Sequence, residues 1–297
     1  MAQIKLLWQS KLVLLLVLPF AAANIVLEGH WWADQFPQVA IGILGLSLIF
    51  GLIVYRLRAA TAAAAFTGAV ITANLMSSTS IAAPYQPWRT ALTPVLVLFL
   101  LSFAATRMGR EQKERLGTAE RRQGRTAAQV AANLGFAAVI SNTHVQIWLL
   151  DSGMFLHNGI AMMPLVAPMV AALAEAAADT VSSEVGQVLG GQPCMITTLR
   201  RVDPGTDGAI SLIGTLAGTA ATAIVALAGT WALSGGLEMF SVACAGGLFG
   251  LFFDSLLGAT LERSGWLNND AVNFLSTISA AGFALALLAI LFHFTAR

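Results

Sequence analysis

Charged residues are scarce in this chain: they make up 10% of its 297 residues, whereas 57% are hydrophobic. A soluble globular domain carries about 25% charged residues, so the chain has too little charge to cover a water-soluble globule of its size. The mean hydropathy of +0.75 points the same way. The composition therefore excludes an ordinary soluble domain and predicts an integral membrane protein.

Lysine and cysteine are rarer still. The three lysines are Lys5, Lys11 and Lys113, and none stands in the pattern Gly-x-x-x-x-Gly-Lys-Ser/Thr, so a P-loop nucleotide site is excluded. The two cysteines, Cys194 and Cys244, are isolated from each other, which excludes a disulfide framework and the paired spacing of a structural metal site. The net charge is only +1, and no nucleic acid is expected as a partner.

Apolar segments close to the length of a membrane span recur along the chain. About 20 residues of helix cross the roughly 30 Å of hydrocarbon in a bilayer. We predict an all-α membrane bundle of about nine transmembrane helices, near 11–28, 38–56, 59–76, 90–106, 127–149, 159–178, 209–233, 236–258 and 272–294. No polar stretch is long enough for a soluble domain, so residues 1–297 are predicted to form a single membrane domain.

The basic residues fall on one side of this arrangement. They cluster before the first predicted span, after the second, within 107–126, and after the sixth and eighth, whereas the opposite loops, including 150–158, carry only Arg89. Loops rich in Lys and Arg stay in the cytoplasm, so we predict a cytoplasmic N-terminus in a prokaryotic cytoplasmic membrane. Segment 107–126 pairs its charges at helical spacing and is predicted to be a solvated surface loop.

Three acidic residues stand at the end of the sixth predicted span. A carboxylate at the centre of a membrane helix costs about 2.5–3.5 kcal/mol, so Glu175, Asp179 and Glu184 indicate a bound cation or a polar substrate. Glu175, Asp179 and Ser183 fall on one face of a helix. Glu184 joins that face only if the helix unwinds near Ser182, as backbone that lines a cavity can do.

The eighth and ninth predicted spans add further acids at the same depth. Asp254 and Glu262 are two turns apart with Gly258 between them, and Asp270 lies at the start of the ninth span. Such hard oxygen ligands suit Mg²⁺, which takes one or two carboxylates together with phosphate oxygens and water. Asn269 or Asp270 could instead cap the ninth helix, and that alternative stays open.

Arginines on the same side can hold phosphate groups. Arg125 opens the fifth predicted span and begins a polar stripe with Gln129 and Asn133, spaced every four residues. Arg200 and Arg201 precede a glycine-containing turn that leads into the seventh span. The free N–H groups at a helix N-terminus favour an anion. The predicted site thus combines carboxylates that can bind a cation with arginines that can bind phosphate.

Several short motifs occur in the order seen in one known family. They are RTAAQVAAN at 125–133, ADTVSSEVG at 178–186, ITT at 196–198, PGTDGAIS at 204–211, DSLLGAT at 254–260 and NDAVNF at 269–274. With them, the chain from about Arg56 onward resembles the integral-membrane family that contains the plant phytyl-phosphate kinase of the vitamin E pathway. Residues 1–56 match it only weakly, so 57–297 is predicted to be the family core.

The resemblance implies that a prenyl monophosphate, of phytyl or geranylgeranyl type, is phosphorylated to the diphosphate by a nucleoside triphosphate at the cytoplasmic face. CTP and UTP are plausible donors, Mg²⁺ is the implied cofactor, and the prenyl substrate lies among membrane lipid. Two alternatives stay open. One is a lipid-phosphate nucleotidyltransferase, and the other is a secondary transporter of an anionic solute.

Roles are predicted for the polar residues on this basis. Catalysis is assigned to Asp179, Glu184, Asp254, Arg200 and Arg201. Substrate and nucleotide binding is assigned to Arg125, Gln129, Asn133, Thr180, Ser183, Thr198, Gly205, Thr206, Ser211, Ser255, Asn269 and Asn273. Mg²⁺ is assigned to Asp179, Glu184, Asp254 and Asp270.

Overall fold

The fold is a bundle of helices. The computed structural model describes residues 7–81, 84–120, 122–151 and 166–295, with side chains as far as Leu291. Its helices are α1 Leu7–Gln35, α2 Pro37–Arg56, α3 Ala62–Thr79, α4 Leu92–Arg107, α5 Arg110–Leu116, α6 Ala127–Ser141, α7 Thr143–Asp151, α8 Ala167–Leu189, α9 Leu212–Ala232, α10 Leu237–Leu257 and α11 Asn269–Thr295. A π-helical turn, Gly258–Glu262, extends α10. The prediction of an all-α membrane bundle is confirmed.

Local signals in the sequence explain where several helices begin. Thr61 caps α3 by accepting a hydrogen bond from the Ala64 N–H. Thr126 and Gln129 form a reciprocal capping box at the start of α6, an arrangement that satisfies two otherwise unpaired N–H groups. Ser211 caps α9 by accepting from Gly214 N–H at 3.1 Å. These caps set the starting points of three helices, and the caps of α6 and α9 lie at the site described below.

Helix α8 is the centre of the bundle. It packs against α4, α6, α9, α10 and α11, and its first fifteen residues are almost entirely buried. Seven of those fifteen residues are alanine, which lets neighbouring backbones approach closely. On α9, a side chain at Gly218 would lie 3.0 Å from the Ala178 carbonyl oxygen. The absence of a side chain at Gly218 therefore lets α9 approach α8 closely.

The N-terminal helices form a second group beside this centre. Helix α3 packs against α1, α2 and α6, around a small core that includes Trp32, Val39 and Met76. A buried hydrogen bond from Asn24 to Asn74, at 2.7 Å, joins α1 to α3. The segment between α2 and α3 also contacts the start of α6, because the backbone at Ala60 pairs with the backbone at Arg125.

Fewer helices are long and apolar enough to cross a membrane than the sequence predicted. Five helices in the described part of the chain are long and apolar enough to cross a bilayer: α1, α2, α9, α10 with its π turn, and α11. A sixth is obtained if α4 and α5, bent by 66° at their junction, count as one span. Helix α8 has the length but carries three acids, and α6 has only 15 residues. The count of about nine spans is not confirmed.

Each predicted span nevertheless overlaps a helix. The fifth segment corresponds to α6 and α7, which are broken at Asn142, whose side-chain oxygen accepts from the backbone N–H groups of His144 and Val145. The first part of the sixth segment, 159–165, and most of the predicted outer loop 150–158 lie outside the described residues.

Candidate functional site

A polar pocket of about 270 Å³ lies at one end of the bundle. It is bounded by the start of α6, the second half of α8, the segment 193–211, the end of α10 and the start of α11. These are the five regions that the sequence marked as polar. From the predicted site, it is lined by Arg125, Gln129, Asn133, Asp179, Thr180, Ser183, Glu184, Gly205, Thr206, Ser211, Asp254, Ser255, Asn269 and Asn273.

Two carboxyl groups meet in this pocket. The Asp179 side chain on α8 is near enough to that of Asp254 on α10 for the two to interact directly. Glu175, one turn before Asp179, lies beneath them and is only 1% exposed. Its side chain fits because Gly250 faces it: a side chain at Gly250 would lie 2.5 Å from the Glu175 Cγ. The acids thus form a column from the pocket into the core.

This acid column is not fully satisfied by the surrounding protein. Within the described residues, Glu175 Oε1 and Asp254 Oδ2 are buried without a hydrogen-bond partner. The Ser276 hydroxyl on α11 lies beside both carboxyl groups, but it also donates to the Asn273 carbonyl oxygen at 2.9 Å. Unpaired buried carboxylate oxygens are costly, and a cation or a donor group from a ligand would relieve that cost.

Arg125 faces the acids from the opposite wall. Its guanidinium donates to Thr180 Oγ1 at 3.1 Å, and its charge acts on Asp179. Its backbone is held firmly: Arg125 N–H donates to the Ala59 carbonyl at 3.0 Å, and its own carbonyl accepts from Thr61 N–H at 3.0 Å. The chain entering α6 is therefore fixed before the side chain reaches the pocket.

The polar stripe on α6 continues below Arg125. Gln129 lines the pocket while its side-chain oxygen accepts from the Thr126 N–H at 2.7 Å. Asn133 is 7% exposed, and its side-chain oxygen accepts from the Asn273 amide at 3.0 Å. Asn133 and Asn273 therefore join α6 to α11 across the floor of the pocket.

Glu184 lies on the pocket wall in a different way from the one expected. Helix α8 continues without a break to Leu189, so the unwinding near Ser182 that would bring Glu184 onto the face of Asp179 does not occur. Glu184 Oε2 accepts from Lys113 Nζ at 2.6 Å. Lys113 is 1% exposed, although segment 107–126 was predicted to be a solvated loop. The Arg110–Glu114 pair, at 3.0 Å, does show the predicted helical spacing.

The segment between α8 and α9 closes the pocket from outside. It contains a two-residue antiparallel ladder, in which β1 Cys194–Met195 pairs with β2 Ala209–Ile210. Gly208 has φ of +74°, and a side chain there would collide with the Ala259 backbone. Burial raises the pKa of Asp207, and the charge of Arg263 acts against that shift.

Four predicted residues do not line the pocket. Thr198, Arg200 and Arg201 are exposed on the far side of the segment. Asp270 Oδ2 instead accepts from the Ser10 hydroxyl at 2.5 Å. Neither predicted capping residue caps α11. Asn268 does so, by accepting from the Ala271 N–H at 2.9 Å.

Sequence reasoning missed two parts of the site. Lys113 carried a signal, since it is one of only three lysines, but a lysine in a charged segment gave no indication of burial. Glu120 lines the pocket from the segment before α6, and nothing in its surroundings in the sequence distinguishes it from a solvated acid.

The donor set can be compared with the needs of Mg²⁺. Among the described residues, no group of three or more His, Cys, Asp and Glu side chains is arranged to hold a metal ion. Asp179 and Asp254 nevertheless meet the requirement of Mg²⁺ for one or two carboxylates beside substrate phosphates, and Asp254 has an oxygen to spare. The residues fit a metal that arrives with phosphate, and the Mg²⁺ assignment stays a prediction.

Relatives of this chain occur in archaea, bacteria and plants. It is 43% identical to "Uncharacterized membrane protein MJ0933" of Methanocaldococcus jannaschii over 109 residues, which cover 37% of this chain and 45% of that protein. It is 34% identical to "Uncharacterized membrane protein sll0875" of Synechocystis over 210 residues, 67% of this chain and 74% of the relative.

A plant relative is more distant. "Protein VTE6, chloroplastic" of Arabidopsis thaliana is 31% identical over 186 residues, which cover 61% of this chain and 54% of that protein. The chain thus aligns with less than half of the archaeal relative and about half of this plant protein. No solved structure matches it significantly. Residues 45–281 match the family described as "Integral membrane protein DUF92", and the chain belongs to this family.

Proposed function

We propose that this protein is a kinase that phosphorylates a prenyl monophosphate to the diphosphate, using a nucleoside triphosphate. The observation that carries the proposal is the meeting of Asp179 and Asp254 opposite the Arg125–Thr180 hydrogen bond, inside one polar pocket. Catalysis of phosphoryl transfer consists mainly of positioning the reactants and neutralising charge. Carboxylates on one wall and an arginine on the other are suited to both tasks.

The substrate class comes from the family. The resemblance to the family of the plant phytyl-phosphate kinase, together with the 31% identity to the chloroplast protein, supports a prenyl monophosphate as acceptor. A lipid acceptor agrees with the membrane bundle, and the pocket at one end of that bundle would let a water-soluble nucleotide reach the lipid phosphate. We place this end at the cytoplasmic face, where nucleoside triphosphates are found.

The proposed reaction needs little covalent chemistry from the protein. An oxygen of the lipid phosphate forms a bond to the γ-phosphorus of the nucleotide, the bond from that phosphorus to its bridging oxygen breaks, and a nucleoside diphosphate leaves. The attacking oxygen is already ionised, so no strong general base is required. Arg125 would bind phosphate oxygens through its guanidinium fork, as arginine does in phosphate sites.

The carboxylates have a separate task. Asp179 and Asp254 would hold Mg²⁺, which when bound neutralises the charge of the nucleotide phosphates. Thr180 fixes the orientation of the guanidinium of Arg125. Asn133 and Asn273, hydrogen-bonded to each other, hold α6 and α11 at the separation that the pocket requires.

Purified full-length protein in detergent, supplied with Mg²⁺ and labelled nucleotides, tests the proposal with a panel of prenyl monophosphates. We expect prenyl diphosphate and nucleoside diphosphate in equal amounts. Release of pyrophosphate, with the nucleotide attached to the lipid, would identify a nucleotidyltransferase instead. Absence of any product with all four ribonucleotides and with C10 to C20 acceptors would contradict the proposal.

A further inference from the structure

A second cavity, of about 490 Å³, lies between α2, α3, α4 and α6. Its volume falls within the roughly 300–1,000 Å³ typical of small-molecule sites. Its walls are mostly apolar, with Phe50 on α2, Leu98 and Phe99 on α4, and Leu134 on α6. Small residues of α3, among them Ala65 and Gly68, leave the space that larger side chains would fill.

The cavity changes character along its length. On α4 the lining residues run from Val95 to Arg107, a distance of roughly 18 Å at 1.5 Å per residue. On α2 they run from Phe50 to Val54 before reaching Arg58 just beyond the helix. On both helices the apolar residues come first and the arginine comes last. The cavity is therefore an apolar channel with a cationic mouth.

The mouth carries an excess of positive charge. It is lined by five arginines (Arg58, Arg107, Arg110, Arg122 and Arg125) and two glutamates (Glu114 and Glu120). Some of these arginines are engaged: Arg107 donates to the Leu57 carbonyl at 2.8 Å, and Arg110 pairs with Glu114 at 3.0 Å. The guanidinium groups of Arg58 and Arg122 make no hydrogen bond or ion pair within the described residues.

One further detail points to a ligand. The Ser102 hydroxyl, on the cavity wall, is buried without a hydrogen-bond partner among the described residues. Ser102 lies between the apolar part of α4 and its arginine, where a polar group of a ligand would pass.

The channel joins the polar pocket. Glu120, Arg125 and Asn133 line both, so a molecule that fills the channel with its head at the mouth has that head beside Arg125. The charge and shape of the channel call for a long apolar chain that ends in a phosphate. A prenyl alcohol would make no ion pair with the arginines, and a free phosphate would make no contact with the apolar walls.

We propose that the channel between α2, α3, α4 and α6 binds the prenyl chain of the acceptor, with its phosphate held by Arg58 and Arg125 at the junction with the polar pocket. The nucleotide then occupies the polar pocket alone. This assignment rests on the proposed function for the identity of the lipid, and it adds the place and the residues that select it.

Binding without turnover tests this assignment. Labelled geranylgeranyl monophosphate is titrated, without nucleotide, onto full-length protein in detergent, and Gly68→Leu is compared with Gly45→Leu. A side chain at Gly68 first meets Val130, at 3.7 Å, so leucine enters the channel without a backbone clash. At Gly45, a side chain would meet nothing within 4 Å among the described residues, and Gly45 lines neither site.

We expect Gly68→Leu to weaken binding at least about tenfold, the loss that follows if leucine displaces about two methylene groups of the ligand. Gly45→Leu should bind within twofold of the wild type. Arg58→Gln should weaken binding of the monophosphate and leave competition by geranylgeraniol unchanged. Size-exclusion profiles and thermal unfolding confirm that each variant is folded.

Equal binding by the two leucine variants would overturn the assignment, and so would displacement of the probe by phosphatidic acid as readily as by phytyl monophosphate. The two proposals fail separately. Binding that depends on Gly68 without any phosphorylation would reject the kinase and keep the channel. Normal phosphorylation by Gly68→Leu, with an unchanged KM for the lipid, would keep the kinase and reject the channel.

Discussion

The ammonium group of Lys113 lies 2.6 Å from Glu184 Oε2 inside the protein. The same group donates to the carbonyls of Ala105 and Thr106, at 3.0 and 2.8 Å, near the end of α4. Carbonyls in the last turn of a helix have no partner within that helix. Lys113 therefore caps α4, holds α5 in its bent position and ties both to α8.

We predict that Lys113→Met destabilises the protein strongly, because it removes a buried ammonium group and leaves the largely covered Glu184 without its partner. Removing one member of a buried ion pair costs about 3–5 kcal/mol. Thermal unfolding in detergent should show a large loss for Lys113→Met and a smaller additional loss when Glu184→Gln is combined with it. Losses that simply add would mean that the two side chains act independently.

The acid pair gives a second prediction. Asp179→Asn and Asp254→Asn should each lower the rate of phosphate transfer at least about 100-fold, the range found when a group that stabilises the transition state is removed. Both variants should stay folded, because an amide keeps the shape of the carboxyl group. Asp203→Asn is the matched control, since Asp203 is exposed and lies outside the pocket. Near-normal rates in both pocket variants would reject the site.

Hydropathy and charge were sufficient to predict the helical segments and the five polar clusters that border the pocket. A membrane span must be long and apolar, and a polar residue within it needs a binding partner or a function. Apolar length and polar exceptions can both be read from the residue order. The predicted spans accordingly overlap helices, and Asp179 and Asp254 lie side by side. Their shared place follows from the predicted topology, since both stand near the ends of predicted spans, 159–178 and 236–258, that cross the membrane in the same direction.

Contacts between distant segments were not predictable in the same way. The burial of Lys113 depends on the bend between α4 and α5, and its own neighbours are charged and helix-forming. Arg200 and Arg201 looked like phosphate ligands because they precede a glycine turn, but the short β1–β2 ladder directs that stretch outward. Side-chain direction in a loop is set by its hydrogen bonds, which the residue order alone does not reveal.

Arginine replacements test whether Arg125, rather than Arg201, binds phosphate. Arg125→Lys should lower kcat/KM at least about tenfold, because an ammonium group cannot reproduce the planar fork of the guanidinium. Arg201→Lys should change it less than about threefold, since Arg201 is exposed and contacts Gln192 at 3.5 Å. The measurement is the steady-state kcat/KM of each variant for nucleotide and for lipid. A larger effect at Arg201 than at Arg125 would restore the catalytic role that the sequence suggested for Arg201.

Gly208 offers a test of how the outer segment closes the pocket. Gly208 and Gly265 both have φ of +74°, but a side chain at Gly208 would collide with the Ala259 backbone, whereas one at Gly265 would meet nothing within 4 Å among the described residues. An alanine at either site bears the cost of a left-handed conformation, about 1–2 kcal/mol. Gly208→Ala should therefore also raise the KM for nucleotide, and Gly265→Ala should not. Identical kinetics in the two variants would show that the contact with Ala259 is unimportant.

Sidedness is the last prediction, because the proposed reaction needs the polar pocket to open to the cytosol. Single cysteines at Thr206 and Ser264, near the pocket, and at Ser234, in the turn between α9 and α10, are introduced into a variant without Cys194 and Cys244. Ser234 and Ser264 are exposed, and Thr206 is partly exposed. A membrane-impermeant thiol reagent should label the first two only in inverted vesicles, and Ser234→Cys only in right-side-out vesicles. Labelling of Thr206→Cys and Ser264→Cys from opposite faces would separate the segments that border the pocket. Labelling of both from outside would keep the pocket intact but would deny it cytosolic nucleotide, and the kinase proposal would then fail.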